Sequence, residues 1–376
     1  MSNIHKKIPD DLYNDEEVFP ADPPMHTADV VETRTYTNPV YSGYFADPFM
    51  WKVKDEYYAV GTGPLEAGGQ FTRAEELSST LQVQMRVFPL LRSDDFVTWH
   101  GVSGALLRPD PALGETFWAP EVAYNDGHYY LYYSVGIEDK GHQLRVGVSN
   151  HPMGPYQDAG TALVDPETTS FAIDPHPFQD DDGQWYLFWA QDFLDAEGET
   201  RAGTALMVDR MIDMTTLAGE QRTVLRARSD WQRFLKDRPM YDGIYDWHTL
   251  EGPHVRKHKG RYYCFYSGGR WETDTYGVDY GVADHVMGPY TDKGNESGAR
   301  VLRTNSSHLI GPGHNSIVVG PDRSTEYLVY HAWDAGLSQR RMCLDKLIWT
   351  PDGPRCDGPT WTPQTLTAIK DWQTTL

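Results

Sequence analysis

The sequence predicts an all-β chain folded as a five-bladed β-propeller behind a short N-terminal arm, and three observations predict it. The first is a repeat. Five runs join a turn to a short tyrosine-centred segment: KVKDEYYAVGTG, YNDGHYYLYYSVG, DDDGQWYLFWAQ, HKGRYYCFYSGG and GPDRSTEYLVYHAWD. Taking Tyr58, Tyr130, Tyr186, Tyr263 and Tyr327 as equivalent anchors gives separations of 72, 56, 77 and 64 residues, each suited to a unit of several short strands. The second is turn chemistry. Asn125-Asp126-Gly127, Asp182-Gly183 and Lys259-Gly260 tolerate the positive φ of tight hairpins, and the tyrosine-rich runs after them favour strands. The third is that no long helical period exists; only 72–86 and 229–240 are expected to hold a short helix or an ordered loop. Each hairpin leaves an aromatic face that needs a neighbour. Radial repetition supplies one and protects the strand edges.

The elements follow in order. Residues 1–34 are polar and rich in Asp, Glu and Pro, and read as an arm; residues 35–376 read as a single propeller domain. HPMGPYQDAG (151–160) and HVMGPYTDKG (285–294) nearly match, which predicts one outer-strand element used in two blades. The turn-rich TPDGPRCDGPTWTPQ closes the last blade.

Composition narrows the function classes. The chain has 376 residues, 39% hydrophobic and 13% aromatic, with a net charge of −21. Such an acidic surface disfavours nucleic acid and anionic lipid as partners and tolerates a small neutral oligosaccharide. A homo-oligomer is compatible with it. Cys264, Cys343 and Cys356 have neither disulfide nor zinc spacing, and the first two read as buried thiols. MSNIHKKIPDD lacks the apolar core of a signal peptide, and no run of apolar residues is long enough to span a bilayer, so a cytoplasmic location is expected. Asp180-Asp181-Asp182 lacks the remaining ligands of a calcium loop and reads as a hairpin turn.

Three segments place an acid before a proline or glycine: FADP (Asp47), AIDP (Asp174) and LEGPH (Glu251). Each starts the hairpin that leads to a tyrosine anchor, so the three are expected at equivalent blade positions, converging on one mouth of the axis. Glycoside hydrolysis needs that convergence: one carboxylic acid protonates the leaving oxygen and one carboxylate faces it. A third acid raises its neighbour's pKa by like-charge repulsion. Asp110-Pro111 and Asp165-Pro166 lack the blade equivalence and read as ordinary turns.

From about Asn38 to Trp361 the chain resembles glycoside hydrolase family 43. The segments that carry the resemblance, in order, are NPVYSGYFADPF, FWAPEVAYNDGHYYLYYS, AIDPHPFQDDDGQWYLFW, EGPHVRKHKGRYYCFYSGG and GPGHNSIVV. It implies an inverting mechanism with Asp47 as general base, Glu251 as general acid and Asp174 tuning the acid. His314 in GPGHN matches a family histidine that borders a hydrated axial ion, often calcium, in arabinan-cleaving members; it is expected to be either a ligand of such an ion or a hydrogen-bond donor to substrate. No cofactor is required for the chemistry itself. Arg340 or Arg341 matches an arginine that reaches the sugar or the tuning acid, and neighbours in a strand face opposite ways. Trp118 is expected to wall the sugar, with Phe117 divided between that role and the core. Trp247, His248, His176 and Gln191 are expected to line the pocket, and Arg270 with Trp271 a neighbouring subsite. The long loop 65–86 favours a pocket over a groove. Together these imply an exo-acting α-L-arabinofuranosidase on arabinan or arabinoxylan fragments. The alternatives are a β-D-xylosidase, an endo-arabinanase and, in another class, a non-catalytic sugar-binding propeller; the presence of all three acids argues against the last.

Overall fold

The structure is a computed structural model that describes residues 30–65, 86–294 and 296–370. The first strand, β1 (Val30–Tyr36), is held in reserve for the end of the chain. Sheets then follow in strict chain order. The first is β2 (Ala46–Val53), β3 (Glu56–Thr62), β4 (Arg86–Ser93) and β5 (His100–Leu107). The second is β6 (Thr116–Asn125), β7 (His128–Ile137), β8 (Lys140–Ser149) and β9 (Gln157–Asp158). A seven-stranded sheet comes third: β10 (Ala172–Gln179), β11 (Trp185–Phe193), β12 (Gly203–Asp213), β13 (Thr216–Leu217), β14 (Arg222–Leu225), β15 (Arg233–Met240) and β16 (Gly243–His248). The fourth is β17 (Leu250–His258), β18 (Arg261–Gly268), β19 (Gly277–Ala283) and β20 (Leu302–Arg303). The last is β21 (Leu309–Val319), β22 (Glu326–Asp334), β23 (Arg340–Thr350) and β24 (Gly353–Cys356), after which β25 (Gln364–Lys370) returns to pair with β1 along seven residues.

The arrangement is an all-β propeller. The opening strand of each sheet lies against that of the next, β2 on β6, β6 on β10, β10 on β17, β17 on β21, and β21 back on β2. Buried apolar clusters fill the wedges between sheets. Leu131 and Tyr133 pack with Val60 and Leu90, Trp189 with Tyr132 and Leu144, Cys264 and Tyr266 with Phe188 and Leu206, Tyr330 with Phe265, and Val329 with Tyr57 and Ala59. A fully buried side chain of this size contributes about 1.5–3 kcal/mol relative to exposure.

The five tyrosine anchors are equivalent in register: Tyr58 faces Trp51, Tyr130 faces Ala123, Tyr186 faces Phe178, Tyr263 faces Arg256 and Tyr327 faces Val318, one pair in the first hairpin of every sheet. The repeated Met-Gly-Pro-Tyr segment serves two different edges. In the second sheet it leads into the outermost strand, β9, whereas in the fourth it gives only the bridge between Val282 and Thr291, and Leu302–Arg303 forms the edge. Cys264 and Cys343 are buried free thiols.

Two expectations need correction. Residues 229–240 hold no helix beyond the single 3-10 turn Asp230–Gln232; the rest is β15, the first half of a hairpin. Val30–Arg34, assigned to the arm, already belong to β1. The remainder of the arm and positions 66–85 of the long loop lie outside the described residues.

Candidate active site

Each opening strand breaks its ladder at the same place. The pairing skips two residues between Ala46 and Phe49, Trp118 and Glu121, Ile173 and His176, Glu251 and His254, and Gly313 and Ser316. The first residue in each break has a left-handed backbone: Asp47 (φ 49°), Ala119 (47°), Asp174 (58°), Gly252 (57°) and His314 (51°). Bulges of this kind bend a strand and re-aim its side chains, and they concentrate near active sites. A non-glycine residue held in such a region costs on the order of 1–3 kcal/mol, which the packed ring must sustain.

This register corrects one expectation. Asp47 and Asp174 are equivalent, but the residue equivalent to them in the fourth sheet is Gly252; Glu251 stands one position earlier, level with Trp118. The pattern was legible as a row of dipeptides, Asp47-Pro48, Ala119-Pro120, Asp174-Pro175 and Gly252-Pro253.

The bulges leave backbone N–H groups without ladder partners, and the site itself takes them up. The Gly252 N–H donates to Asp174 Oδ2 (2.8 Å), the Asp47 N–H to His331 Nδ1 (3.1 Å), the His314 N–H to Ser267 Oγ (2.7 Å) and the Ala119 N–H to Thr62 Oγ1 (2.8 Å). Asp174 thereby fixes the backbone immediately after Glu251. Gly252 is needed twice over: its φ is left-handed, and a Cβ there would press on the His314 ring at 3.2 Å.

The acids converge with His314 at one end of the axis. His314 Nδ1 lies 3.5 Å from Asp47 Oδ1 and 4.0 Å from Asp174 Oδ2. Arg340 Nη1 stands 3.4 Å from Asp47 Oδ1, and the Tyr276 hydroxyl donates to Glu251 Oε1 at 2.7 Å. Gly313 makes room for that tyrosine, since a Cβ would lie 2.0 Å from a Tyr276 ring carbon. The Arg340 guanidinium donates to the Tyr44 hydroxyl at 3.0 and 2.8 Å and sits over the Trp271 ring at 4.5 Å, with Trp333 stacked beside Trp271.

These surroundings separate the three carboxyls. Burial alone would raise Asp47, yet the groups facing it, His314, Arg340 and His331, hold it well below the usual carboxylate range. Burial also drives His314 toward the neutral form, so Arg340 is the permanent counter-charge. Burial, joined by the negative charge of Asp47, pushes Glu251 up to about 7 against the Tyr276 hydrogen bond. Asp174 is likewise raised well above the ordinary value, by burial and then by Glu251 and Asp47.

Two residues onward, a second layer rings the axis: Phe49, Glu121, His176, His254 and Ser316. Here side chains stitch successive sheets together. The Val255 N–H donates to His176 Nε2 (2.9 Å), the Ile317 N–H to His254 Nε2 (3.2 Å) and the Met50 N–H to Ser316 Oγ (3.3 Å). Glu121, His176 and His254 bring ligand-type atoms within 4.8 Å of one another. The tautomers argue against a cation there. With both Nε2 lone pairs occupied by backbone N–H groups, each ring turns its Nδ1–H toward Glu121, at 2.6 Å for His176 and 3.9 Å for His254, and has no lone pair left for a metal.

The other expected site residues divide. Arg340 faces the acids and Arg341 turns outward to the Ser42 carbonyl and Asp334. Trp118 stacks on His142 at 3.7 Å, level with Glu251. Phe117 packs with Phe88 and Tyr133 in the core between the first two sheets. Gln191 sits opposite Ala172, near Asp174, and accepts from Trp189 Nε1. His176 belongs to the second layer, not to the pocket lining. Trp247 and His248 are buried in β16, Trp247 against Tyr245 and Arg238 and His248 against the carbonyl of Asp246, so they pack the hairpin instead of lining the acids. Arg270 pairs with Glu272 and lies over Phe234, while its neighbour Trp271 belongs to the Arg340 cradle. Tyr276, His331, Tyr44 and Trp333 were not anticipated.

The profile of the glycosyl hydrolases family 43 matches residues 36–354. The chain is 28% identical, over 84% of its length and 83% of the relative's, to a β-D-galactofuranosidase of Aspergillus niger. It is 25% identical, over 90% of its length and 67% of the relative's, to an extracellular exo-α-(1→5)-L-arabinofuranosidase of Streptomyces avermitilis. A solved thermostable family-43 glycoside hydrolase superposes with a TM-score of 0.71 at 27% identity, covering 88% of this chain and 98% of its own.

Proposed function

The chain belongs to glycosyl hydrolases family 43 and is a glycoside hydrolase, and we propose that it is an exo-acting, inverting α-L-arabinofuranosidase that releases arabinofuranose from arabinan or arabinoxylan oligosaccharides. One observation carries the reading of the site: three carboxyls, Asp174 buried and Asp47 and Glu251 half-buried, share one end of the axis in unlike surroundings, with Arg340 facing Asp47, the Tyr276 hydroxyl on Glu251 and the Gly252 N–H on Asp174. Asp47, kept ionised by Arg340, is the base that draws a proton from the attacking water. Glu251, with a pKa near 7, carries the proton for the leaving oxygen. Its Oε1 accepts from Tyr276, which leaves Oε2 to hold that proton. Asp174 tunes and positions the acid: it accepts the N–H that follows Glu251, and two acids this close do not both ionise readily, so the pair retains a proton.

Trp118, Trp271 and Trp333 offer faces on which the C–H surface of a sugar stacks. The His314 imidazole, close to Asp47 and Asp174, would suit the single-histidine ligation of a hydrated cation. Such an ion, when bound, would supply positive charge at this end of the axis. We count the seven-stranded sheet as the third of five blades; the ring contacts of β10 support that count.

The Aspergillus relative favours a second reading, hydrolysis of β-D-galactofuranosides. Aryl α-L-arabinofuranoside, β-D-galactofuranoside and β-D-xyloside tested side by side decide the matter. The proposal expects the arabinofuranoside to be turned over fastest, and faster cleavage of either other glycoside overturns it. Proton NMR of the first-formed anomer tests inversion in the same experiment.

A further inference from the structure

The hairpin of β15 and β16 is an addition to the third sheet. Its contact with β12 is a single parallel pairing, Gly203 with His248. It sits at the end of the propeller that carries the acids. His248 donates its N–H to the Ala202 carbonyl, Thr249 donates its own to the Gln232 carbonyl, and Glu251 follows two residues later. Behind its base, Trp231 packs against Gly268, which pairs with Leu250 beside the acid.

From that base the hairpin crosses the rim and is fastened at three points. Phe234 receives Arg270, just past β18 of the fourth sheet, at 5.5 Å. The Tyr241 hydroxyl donates to Asp192 Oδ2, near the end of β11, at 2.6 Å. Arg238 reaches Asp139, in the turn after β7 of the second sheet, at 3.4 Å, while its guanidinium stacks on Phe234 and Trp247. All three attachments lie at the acid-side ends of second strands. The hairpin therefore runs around the mouth at the radius of the second strands, across three consecutive sheets. At about 3.3 Å per residue, the six residues of β16 span about 20 Å, the width of several sugar rings. Its tip leaves Tyr241 and Ile244 exposed, Ile244 at 71%.

We infer that the β15–β16 hairpin is the specificity wall of the site: it fences the mouth over the second to fourth sheets, so that a linear glycan cannot lie across the acids and only a chain end enters. This rests on the arabinofuranosidase reading above. Next to the attachment at Arg270, Trp271 and Trp333 offer the stacking surface for the terminal sugar, and the attachments hold the wall up without ligand.

The test uses a linear α-1,5-linked arabino-oligosaccharide labelled at its reducing end, the intact protein and two variants. In one variant residues 236–245 are replaced by Asn-Gly, a favoured two-residue hairpin turn; the other combines Arg238→Ala with Tyr241→Phe to unfasten the hairpin while keeping it whole. The intact protein is expected to release only monosaccharide. The shortened variant is expected to yield labelled di- and trisaccharides at first contact, with internal cleavage rising about tenfold or more relative to terminal release, and the unfastened variant a smaller rise of the same sign. Internal cleavage by the intact protein overturns the inference. So does pure monosaccharide release by the shortened variant if its circular dichroism melt shows it folded, or by the unfastened variant if the shortened one does not fold. Failure of the underlying reading shows separately, as an intact protein that leaves the aryl α-L-arabinofuranoside uncleaved.

Discussion

Two layers of side chains ring the axis, two residues apart on the same five strands, and they use acids and histidines to opposite ends. In the upper layer Asp47, Asp174, Glu251 and His314 face one another across the axis. In the lower layer His176, His254 and Ser316 are each occupied by a backbone N–H from the next sheet, and Glu121 accepts from His176 Nδ1. Burial is nearly the same in both: Asp174 and Glu121 are each 6% exposed. Their titration differs. Asp174 is raised, whereas burial's tendency to raise Glu121 is overcome by the imidazoles, chiefly His176, and its value falls. Burying a carboxyl is thus not what makes a site. The difference lies in what faces it: carboxyls, Glu251 and Asp47, beside Asp174, and imidazoles beside Glu121.

The largest effect that sharpens this contrast is expected in the upper layer. Asp47→Ala removes the base, and kcat per folded molecule should fall by about a thousandfold or more, with some loss of stability as Arg340 loses its counter-charge. The matching change below, Glu121→Gln, should spare turnover. It puts an amide against imidazole N–H groups, which costs about 1–3 kcal/mol in a thermal melt while kcat per folded molecule changes only a few-fold. A Glu121→Gln protein whose kcat per folded molecule falls as far as that of Asp47→Ala would erase the distinction between the layers.

Glu251 gives the next effect, in pH. Activity should decline as pH rises through about 7, where the acid loses its proton. Stability follows the same group. Its folded-state pKa lies above the ordinary 4.5, so its contribution is full below that value and is lost as pH rises through 7. Glu251→Gln should therefore melt higher than the parent above pH 7, with the gap closing toward pH 4. The smallest effect belongs to Tyr276→Phe. Without the hydroxyl that stabilises the carboxylate, the alkaline limb should move upward by less than about one unit.

Much of this was legible in the sequence, and the failures have physical causes. The tyrosine anchors were readable because strand burial repeats a hydrophobic pattern, and the five register pairs answer to it one by one. Asp47 and Asp174 were readable because Asp-Pro marks the bulge. Glu251 was found for a partly wrong reason: Gly252 carries the left-handed turn and the acid only precedes it. Tyr276 was missed because it lies in the turn between β18 and β19, with no local pattern that tells of a carboxylate 25 positions earlier. His331 was signalled, faintly, by an imidazole in the middle of an otherwise apolar run, YLVYHAWD. The β15–β16 hairpin was misread because RFLKDRPM has weak alternation and an internal proline, and its strand form is secured by attachments to three sheets that no local pattern contains.

The division of labour between Asp47 and Glu251 is tested most directly with a leaving group that needs no proton. Glu251→Ala and Asp47→Ala are compared on 2,4-dinitrophenyl and on simple alkyl α-L-arabinofuranosides. The account predicts that Glu251→Ala hydrolyses the dinitrophenyl glycoside at a rate near the parent's but loses the alkyl one, while Asp47→Ala loses both. Loss of both substrates in Glu251→Ala, or dinitrophenyl hydrolysis near the parent rate in Asp47→Ala, would contradict it.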